Sequence, residues 1–357
     1  MSRTRPGKLA GPIRLAGPMK LAGLMRLAGP VRLARLIRLA GLIPLTRRES
    51  FLSVAVLSVA AIVAVACGGG PVGEAGEAAP AGDGGELLVC TVNYPLQYFA
   101  ERIGGAAVQA EFPAPAEEDP AYWRPDTQAI AVYQKADLVL LNGAYYAKWV
   151  EMAPLPPSKL IDTSAGFADR YIEGETYTHS HGPGGDHEHG ELAFTTWLDP
   201  TLAVEQARAI KESLAAARSD DAHGFEERFI ALETELGELD GHILRLVEGQ
   251  TDLPLLGSHP VYQYLARRYA LNLQSVHFEP DEMPEEEAWQ GLAHILEDHP
   301  AQWMLWEAEP LAEIVDRLRQ LGIESIVYDP CGNRPTSGDF LSTMQQNARN
   351  LETVFSR

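Results

Sequence analysis

Four of the ten histidines in this chain fall within residues 177–200, YTHSHGPGGDHEHGELAFTTWLDP, at His179, His181, His187 and His189. Neutral imidazole is the commonest metal-ligating side chain and suits zinc, copper, nickel and iron. The two His-x-His pairs flank Gly182, Pro183, Gly184 and Gly185. That composition holds neither a helix nor a central strand, so the tract reads as a mobile, exposed loop. Asp186, Glu188 and Glu191 add oxygen donors. A short His-rich run is a compositional sign of metal binding only, so the tract is either a metal-capturing loop or a solvated polar one. Outside it, His259 precedes Pro260, Asp329 precedes Pro330, and Glu307 ends an apolar run at 303–306. Each stands where a strand would stop, and each also reads as a turn or hydrogen-bonding residue. His277, His294 and His299 read as surface or satisfied interior histidines, and His223 and His242 carry no motif.

The charge balance sets the class of partner. The chain has 29 Lys/Arg and 49 Asp/Glu, a formal net charge of -20. Eleven of the bases and a single acid, Glu49, lie in residues 1–67, so everything after Cys67 is more acidic still. Nucleic-acid binding is excluded on this ground, because phosphate contacts need Lys and Arg. An acidic surface attracts cations, though it serves solubility equally well. Three cysteines, Cys67, Cys90 and Cys331, are too few for a disulfide scaffold. Cys90 and Cys331 can pair, bind a metal or stay free.

The elements that would position these residues begin after a long leader. Residues 8–43 repeat with period six (KLAGPI, RLAGPM, KLAGLM), which spirals the bases around any helix instead of aligning them. The repeat is either a basic membrane-surface arm or a low-complexity extension ahead of a signal. Arg47 and Arg48 precede an uncharged run, 51–66, of the length of a signal h-region. The run ends Ala64-Val65-Ala66-Cys67-Gly68, which resembles a bacterial lipobox, making Cys67 the lipidation candidate. Residues 68–86 are a Gly/Ala/Glu-rich tether. Strand patterns then follow at 87–92, 108–112, 137–141 and 159–161, with helices at 96–103 and 126–135 between them and a helix over 200–217. A second set runs 253–256, 262–269, 273–278, 284–297, 303–306, 311–321, 325–328 and 339–355. Alternating strands and helices predict parallel sheets. Between the sets, Phe225, Phe229, Leu232, Leu236, Leu239, Ile243 and Leu246 make one apolar stripe over residues 223–248. At 1.5 Å per residue, that helix would be roughly 39 Å long. The expected fold is therefore α/β, with two lobes, each a parallel sheet flanked by helices, joined by one long backbone helix. The domains are 1–67 (extension and signal), 68–86 (linker), 87–222 (first lobe, with the His-rich loop 177–191), 223–248 (backbone helix) and 249–357 (second lobe).

The layout of residues 87–355 resembles the zinc/manganese solute-binding proteins of ABC importers. The resemblance is carried by Tyr94-Pro95-Leu96 with Gly104-Gly105, by Gln134-Lys135-Ala136-Asp137-Leu138 with Asn142-Gly143 and Trp149, and by Trp197-Leu198-Asp199-Pro200. It is carried further by Ser258-His259 with Tyr264, Arg268 and Tyr269, and by Tyr328-Asp329-Pro330. It implies two metal ligands from each lobe. His259 and Asp329 match the second pair, while Ala121 and Thr195 stand where the family has histidines. Three arrangements would compensate: His179, His181, His187 or His189 folding over the cleft; Cys90 or Cys331 joining as thiolates; or a cleft that takes a metal chelate or organic solute, with Tyr122, Trp123 and Arg124 as contacts. The resemblance implies a lipid-anchored, extracytoplasmic, monomeric binding protein. It would deliver Zn²⁺, or less readily Mn²⁺, to the permease and ATPase of an ABC importer, and it would not be an enzyme.

Overall fold

The computed structural model describes residues 85–174, 178–180, 186–188 and 192–356. Within it, two four-stranded sheets, each wholly parallel, are built from strands that alternate with helices. The first contains β1 (Leu87–Thr91), β2 (Val108–Glu111), β3 (Leu138–Leu141) and β4 (Leu160–Asp162), in the order β2-β1-β3-β4. The helices α1 (Tyr94–Gly104) and α2 (Thr127–Lys135) are its crossovers, and α3 (Pro200–Ala217) follows. Asn93 and Asp126 cap α1 and α2 by accepting from the backbone N–H of Leu96 and Ala129. Between β4 and α3, a two-stranded antiparallel hairpin pairs β5 (Thr178–Ser180) with β6 (Asp186–Glu188).

The helix α4 (Ala222–Val247) leads into the second sheet. That sheet comprises β7 (Pro254–Gly257), β8 (Asn272–Ser275), β9 (Trp303–Trp306) and β10 (Glu324–Val327), in the order β10-β9-β7-β8. The helices α5 (Gln263–Tyr269), α6 (Glu286–Asp298) and α7 (Ala312–Gln320) connect its strands, and α8 (Phe340–Phe355) closes the chain. The strand 273–278 expected from sequence stops at Ser275. From there Val276 and Phe278 bond back to Gly257 and Ser258, leading the chain toward the end of β7.

The long helix α4 packs against α1 and α3 of the first lobe and against α5 and α8 of the second. Phe225, Phe229, Leu232, Leu236, Leu239 and Ile243 are buried along it. The buried position at its end is Val247, not Leu246, which is only partly covered. A strict seven-residue repeat drifts by about 20° per heptad on a straight helix, so after three heptads the inward face has moved on by one residue. Asp240 on this helix accepts from the Arg268 guanidinium through both oxygens and from the Tyr269 hydroxyl, fastening α5 to the strut. No helix among the described residues is long and apolar enough to cross a membrane.

Phe229 is 1% exposed, while its neighbour Ile230 is 50% exposed. Phe229→Ala is expected to lower the unfolding free energy by about 3–5 kcal/mol. Ile230→Ala should stay within about 0.5 kcal/mol of the parent protein. Urea denaturation followed by circular dichroism measures both.

Candidate metal centre

A cleft of about 570 Å³ is lined from both lobes. Its second-lobe wall is made by the carboxyl ends of all four strands. His259 lies two residues past β7, Glu279 four past β8, Glu307 directly after β9 and Asp329 two past β10. Ligands of open α/β sheets sit outside these ends, at the point where the strand order reverses. Here the reversal falls between β7 and β9, so His259 and Glu307 flank it.

His259 is 7% exposed. Its Nδ1 lies 3.0 Å from Glu307 Oε1 and its Nε2 lies 3.2 Å from Glu279 Oε1. One donor atom from each of the three residues falls within 4.8 Å of the others. Zinc bonds of about 2.0–2.2 Å place tetrahedral donors about 3.4 Å apart, and an imidazole ligates through one nitrogen, so for all three residues to hold one ion the carboxylate at the other nitrogen would have to swing toward it. Burial alone would strip the imidazole of its proton; the hydrogen bonds and charges of Glu279 and Glu307 outweigh it and push the pKa up to about 10. Without a metal, His259 is therefore an imidazolium held between two carboxylates.

Asp329 lines the same cleft without joining that tight cluster. Asn347 fixes its backbone from both sides: the Asp329 N–H donates to Asn347 Oδ1 at 3.0 Å, and Asn347 Nδ2 donates to the Asp329 carbonyl at 2.7 Å. Burial raises its carboxyl pKa, the Cys331 N–H at 2.7 Å opposes that, and repulsion from Glu307 adds to it.

Several expectations need correcting. Cys90 is fully buried in β1, its Sγ beside the Val132 carbonyl, and burial, with Glu111 adding, pushes its thiol up to about 12. Cys331 is 2% exposed and its thiol is raised further, by burial and by Asp329. Both are free thiols, neither lines the cleft, and neither has the lowered pKa of a reactive or metal-ready thiolate. The His-rich tract forms a short hairpin with His179 opposite His187 in its register. Paired backbone bonds satisfied a segment whose composition suggested none. His181 and His189 lie outside the described residues, as does Cys67. Of the two residues standing where histidines were expected, Ala121 is buried off the cleft. Thr195 reaches the cleft, and its hydroxyl donates to the Val261 carbonyl at 2.5 Å.

The structure brings Glu279, which the sequence analysis does not single out, to His259 together with Glu307. A signal for Glu279 was present: His259, Glu279 and Asp329 each end an apolar run and each precede a proline. Proline forces the preceding residue to stay extended and stops the strand there, leaving that side chain at the sheet's end. His299 is satisfied by the Leu255 carbonyl at 2.8 Å. His223, His242 and His294 pair with Glu227, Glu352 and Glu297 on the surface. The exposed His277 lies with its ring 6.0 Å from that of His259.

Two parallel-sheet lobes, a connecting strut and an acidic, histidine-bearing cleft at the strand ends define a solute-binding protein of the cluster with a rigid helical backbone. The family described as ZnuA, zinc-uptake complex component A, periplasmic, matches residues 89–354, and the chain belongs to it. Two curated relatives, both zinc-binding lipoprotein AdcA from strains of Streptococcus pneumoniae, are 22% identical over 280 residues. The match covers 75% of this chain and 56% of theirs, so the chain spans about half the length of these relatives. Among solved structures, the fold is shared with the metal-dependent lipoprotein YcdH of Bacillus subtilis, with a TM-score of 0.65 at 20% identity over 75% of this chain and 98% of that one. It is shared with the Zn(II)-bound ZnuA-like domain of S. pneumoniae AdcA, with a TM-score of 0.65 at 20% identity over 76% and 100%. It is also shared with a ZnuA crystal structure, with a TM-score of 0.61 at 23% identity over 76% and 99%.

The raised pKa of His259 has a sign that can be checked. An unfolded histidine titrates near 6.5, so the folded metal-free protein holds this proton more tightly than the unfolded chain. That contribution is complete below about pH 6.5 and is lost as pH rises toward about 10. The urea midpoint of metal-free protein is expected to fall between about pH 6.5 and 8.5, below the range where the unfolded thiols ionise. His259→Gln should flatten that slope, as read by unfolding curves at fixed ionic strength.

Proposed function

We propose that this chain captures a divalent metal ion, zinc before manganese, between its lobes and passes it to the permease and ATPase of an ABC importer. The observation that carries this reading is the buried His259 held by Glu279 and Glu307, with Asp329 on the same cleft. Membership of a zinc-uptake family and the zinc-binding names of the relatives support the choice of ion. All the donors come from the second lobe. Glu279 and Glu307 take the place of the two histidines that Ala121 and Thr195 do not supply. The His-rich hairpin would then serve capture or delivery, not the resting site. One imidazole and up to three carboxylates form a harder donor set than several imidazoles, which brings manganese closer in affinity. The Irving–Williams order still leaves zinc ahead. The reading also places the protein outside the cytoplasm, monomeric and lipid-anchored through Cys67. It calls for no catalytic activity.

Calorimetry at neutral pH tests this. One zinc should bind per chain at micromolar protein, and no zinc binding under those conditions would overturn the reading. His259→Ala and Glu307→Gln should each weaken zinc by about 100-fold or more, since even outer ligand supports cost 10–100-fold. Deletion of residues 178–190 should leave the affinity unchanged; a large loss would return the hairpin histidines to the site.

Binding must also displace the His259 proton, because only neutral imidazole ligates. Titrations at pH 7 in buffers of different ionisation enthalpy should therefore show about one proton released per zinc. Affinity should rise by about tenfold per pH unit through neutrality, so long as the free site remains protonated.

A further inference from the structure

Beside the metal cleft, on the first lobe, lies a second cavity of about 640 Å³, within the size range of small-molecule sites. The two share Tyr122, Tyr146, Leu192 and Phe194 as a common wall. Its floor is aromatic: Trp149 meets Trp123 edge-on, ring centres 6.2 Å apart, and Tyr146 meets Phe194 edge-on at 5.2 Å. Its charged lining residues are Arg124 and Lys148, both exposed, with no carboxylate among the lining. Neither cation forms an ion pair among the described residues. In a chain whose acids outnumber its bases 49 to 29, a wall with two cations and no acid stands apart. The metal cleft next to it has the opposite character, with Glu117, Glu118, Asp119, Asp281 and Glu309 beside its donor residues.

The backbone supplies an independent sign. Gly143, Ala144 and Tyr145, which follow β3, have φ of 76°, 47° and 57°. Left-handed backbone is costly for residues that carry a side chain, and two in succession persist only when their surroundings impose them. At Gly143 an added Cβ would lie within 1.8 Å of the Ser164 hydroxyl oxygen, so the turn admits only glycine there. The Tyr171 hydroxyl accepts from the Ala144 N–H at 3.2 Å and holds the turn. Its result is to present Tyr145, 63% exposed, at the rim of the cavity. An exposed aromatic fixed by strained backbone over an aromatic floor matches a binding site better than a packing element.

We propose that this cavity is a second binding site, separate from the metal centre, and that it takes a flat aromatic carboxylate. The ring would stack among Trp123, Trp149 and Tyr145, and the carboxylate would face Arg124 and Lys148. Guanidinium and ammonium together suit a carboxylate, and the site is too aromatic for a hydrated inorganic anion.

The test is a calorimetric titration of the full chain with 2-naphthoate, and in parallel with its neutral isostere 2-naphthamide. Both are run on chelator-treated and on zinc-loaded protein. Saturable binding of naphthoate is expected in both states, with the amide about tenfold weaker. The double variant Arg124→Gln/Lys148→Gln should weaken naphthoate by about tenfold and leave zinc affinity unchanged. Absence of saturable naphthoate binding, equal binding of acid and amide, or an unaffected double variant would each overturn the proposal. So would loss of zinc affinity in that variant, because the sites would then not be separate. Naphthoate binding to a chain that failed to take zinc would count against the metal reading alone.

Discussion

The centre of this structure is a charge balance at a single side chain. Burial at His259 penalises a charged imidazole, and two carboxylates within 3.2 Å reverse that penalty. Neither side is stable without the other: Glu279 and Glu307 facing each other without a cation would repel, and a buried imidazolium without them would lose its proton. On the proposed reading, a divalent ion at one ring nitrogen would take over the proton's part in offsetting the two carboxylates.

The two lobes repeat one topology, and equivalent positions in them carry different chemistry. Both sheets have the same order, with the first strand flanked by the second on one side and the third on the other. In the second lobe the residue two past the first strand is His259 and the residue one past the third is Glu307. In the first lobe the same offsets give Asn93 and Asn142. Asn93 Nδ2 donates to Asn142 Oδ1 at 3.1 Å, and Gln206 donates to the same oxygen at 3.2 Å. One switch point is closed by neutral amides with every polar atom drawn into a network; the other presents an ionic pair to a cleft. The asymmetry fits a donor cluster drawn from one lobe, with the other lobe facing it through Glu117, Glu118 and Asp119 as well as Tyr146, Thr195 and Trp197.

Most of the architecture was legible in the sequence, because period-two runs and the long 3-4 stripe report which faces are buried, whatever the tertiary context. The exceptions have local causes. Val247 replaced Leu246 because a straight helix does not keep a seven-residue repeat. The strand after Asn272 ended early because residues 276–278 bond to the end of β7 instead of extending β8. The site was harder to read. His259 and Asp329 stood out through motif likeness, whereas Glu279 sits among Asp281, Glu282 and further acids in a stretch that reads as solvated surface. Besides the proline that follows it, only the return of that stretch toward β7, a long-range event, separates it from the other surface acids. The thiols failed as candidates for a related reason: a position near a strand end does not decide which face a side chain takes, and both Cys90 and Cys331 face inward.

The segment that carries Asp329 also joins the lobes, and this limits how the protein can respond to a metal. The Trp197 indole donates to the Pro330 carbonyl at 2.7 Å, and the Tyr94 N–H donates to the Gly332 carbonyl at 3.0 Å. Asn333 donates to the Pro115 and Glu118 carbonyls, and Arg334 to that of Phe112. The WLDP motif therefore has two jobs: Asp199 and Pro200 open α3, and Trp197 ties the second lobe's site loop to the first lobe. With α4 packed on both lobes and the loop after Asp329 bonded across the cleft, a wide hinge opening would break all of these contacts together. On the proposed reading, an ion would exchange through small movements of side chains at the cleft mouth. On the same reading, reprotonation of His259 would offer a route for release that needs no domain rotation, because proton and metal compete for the ligating ring nitrogen.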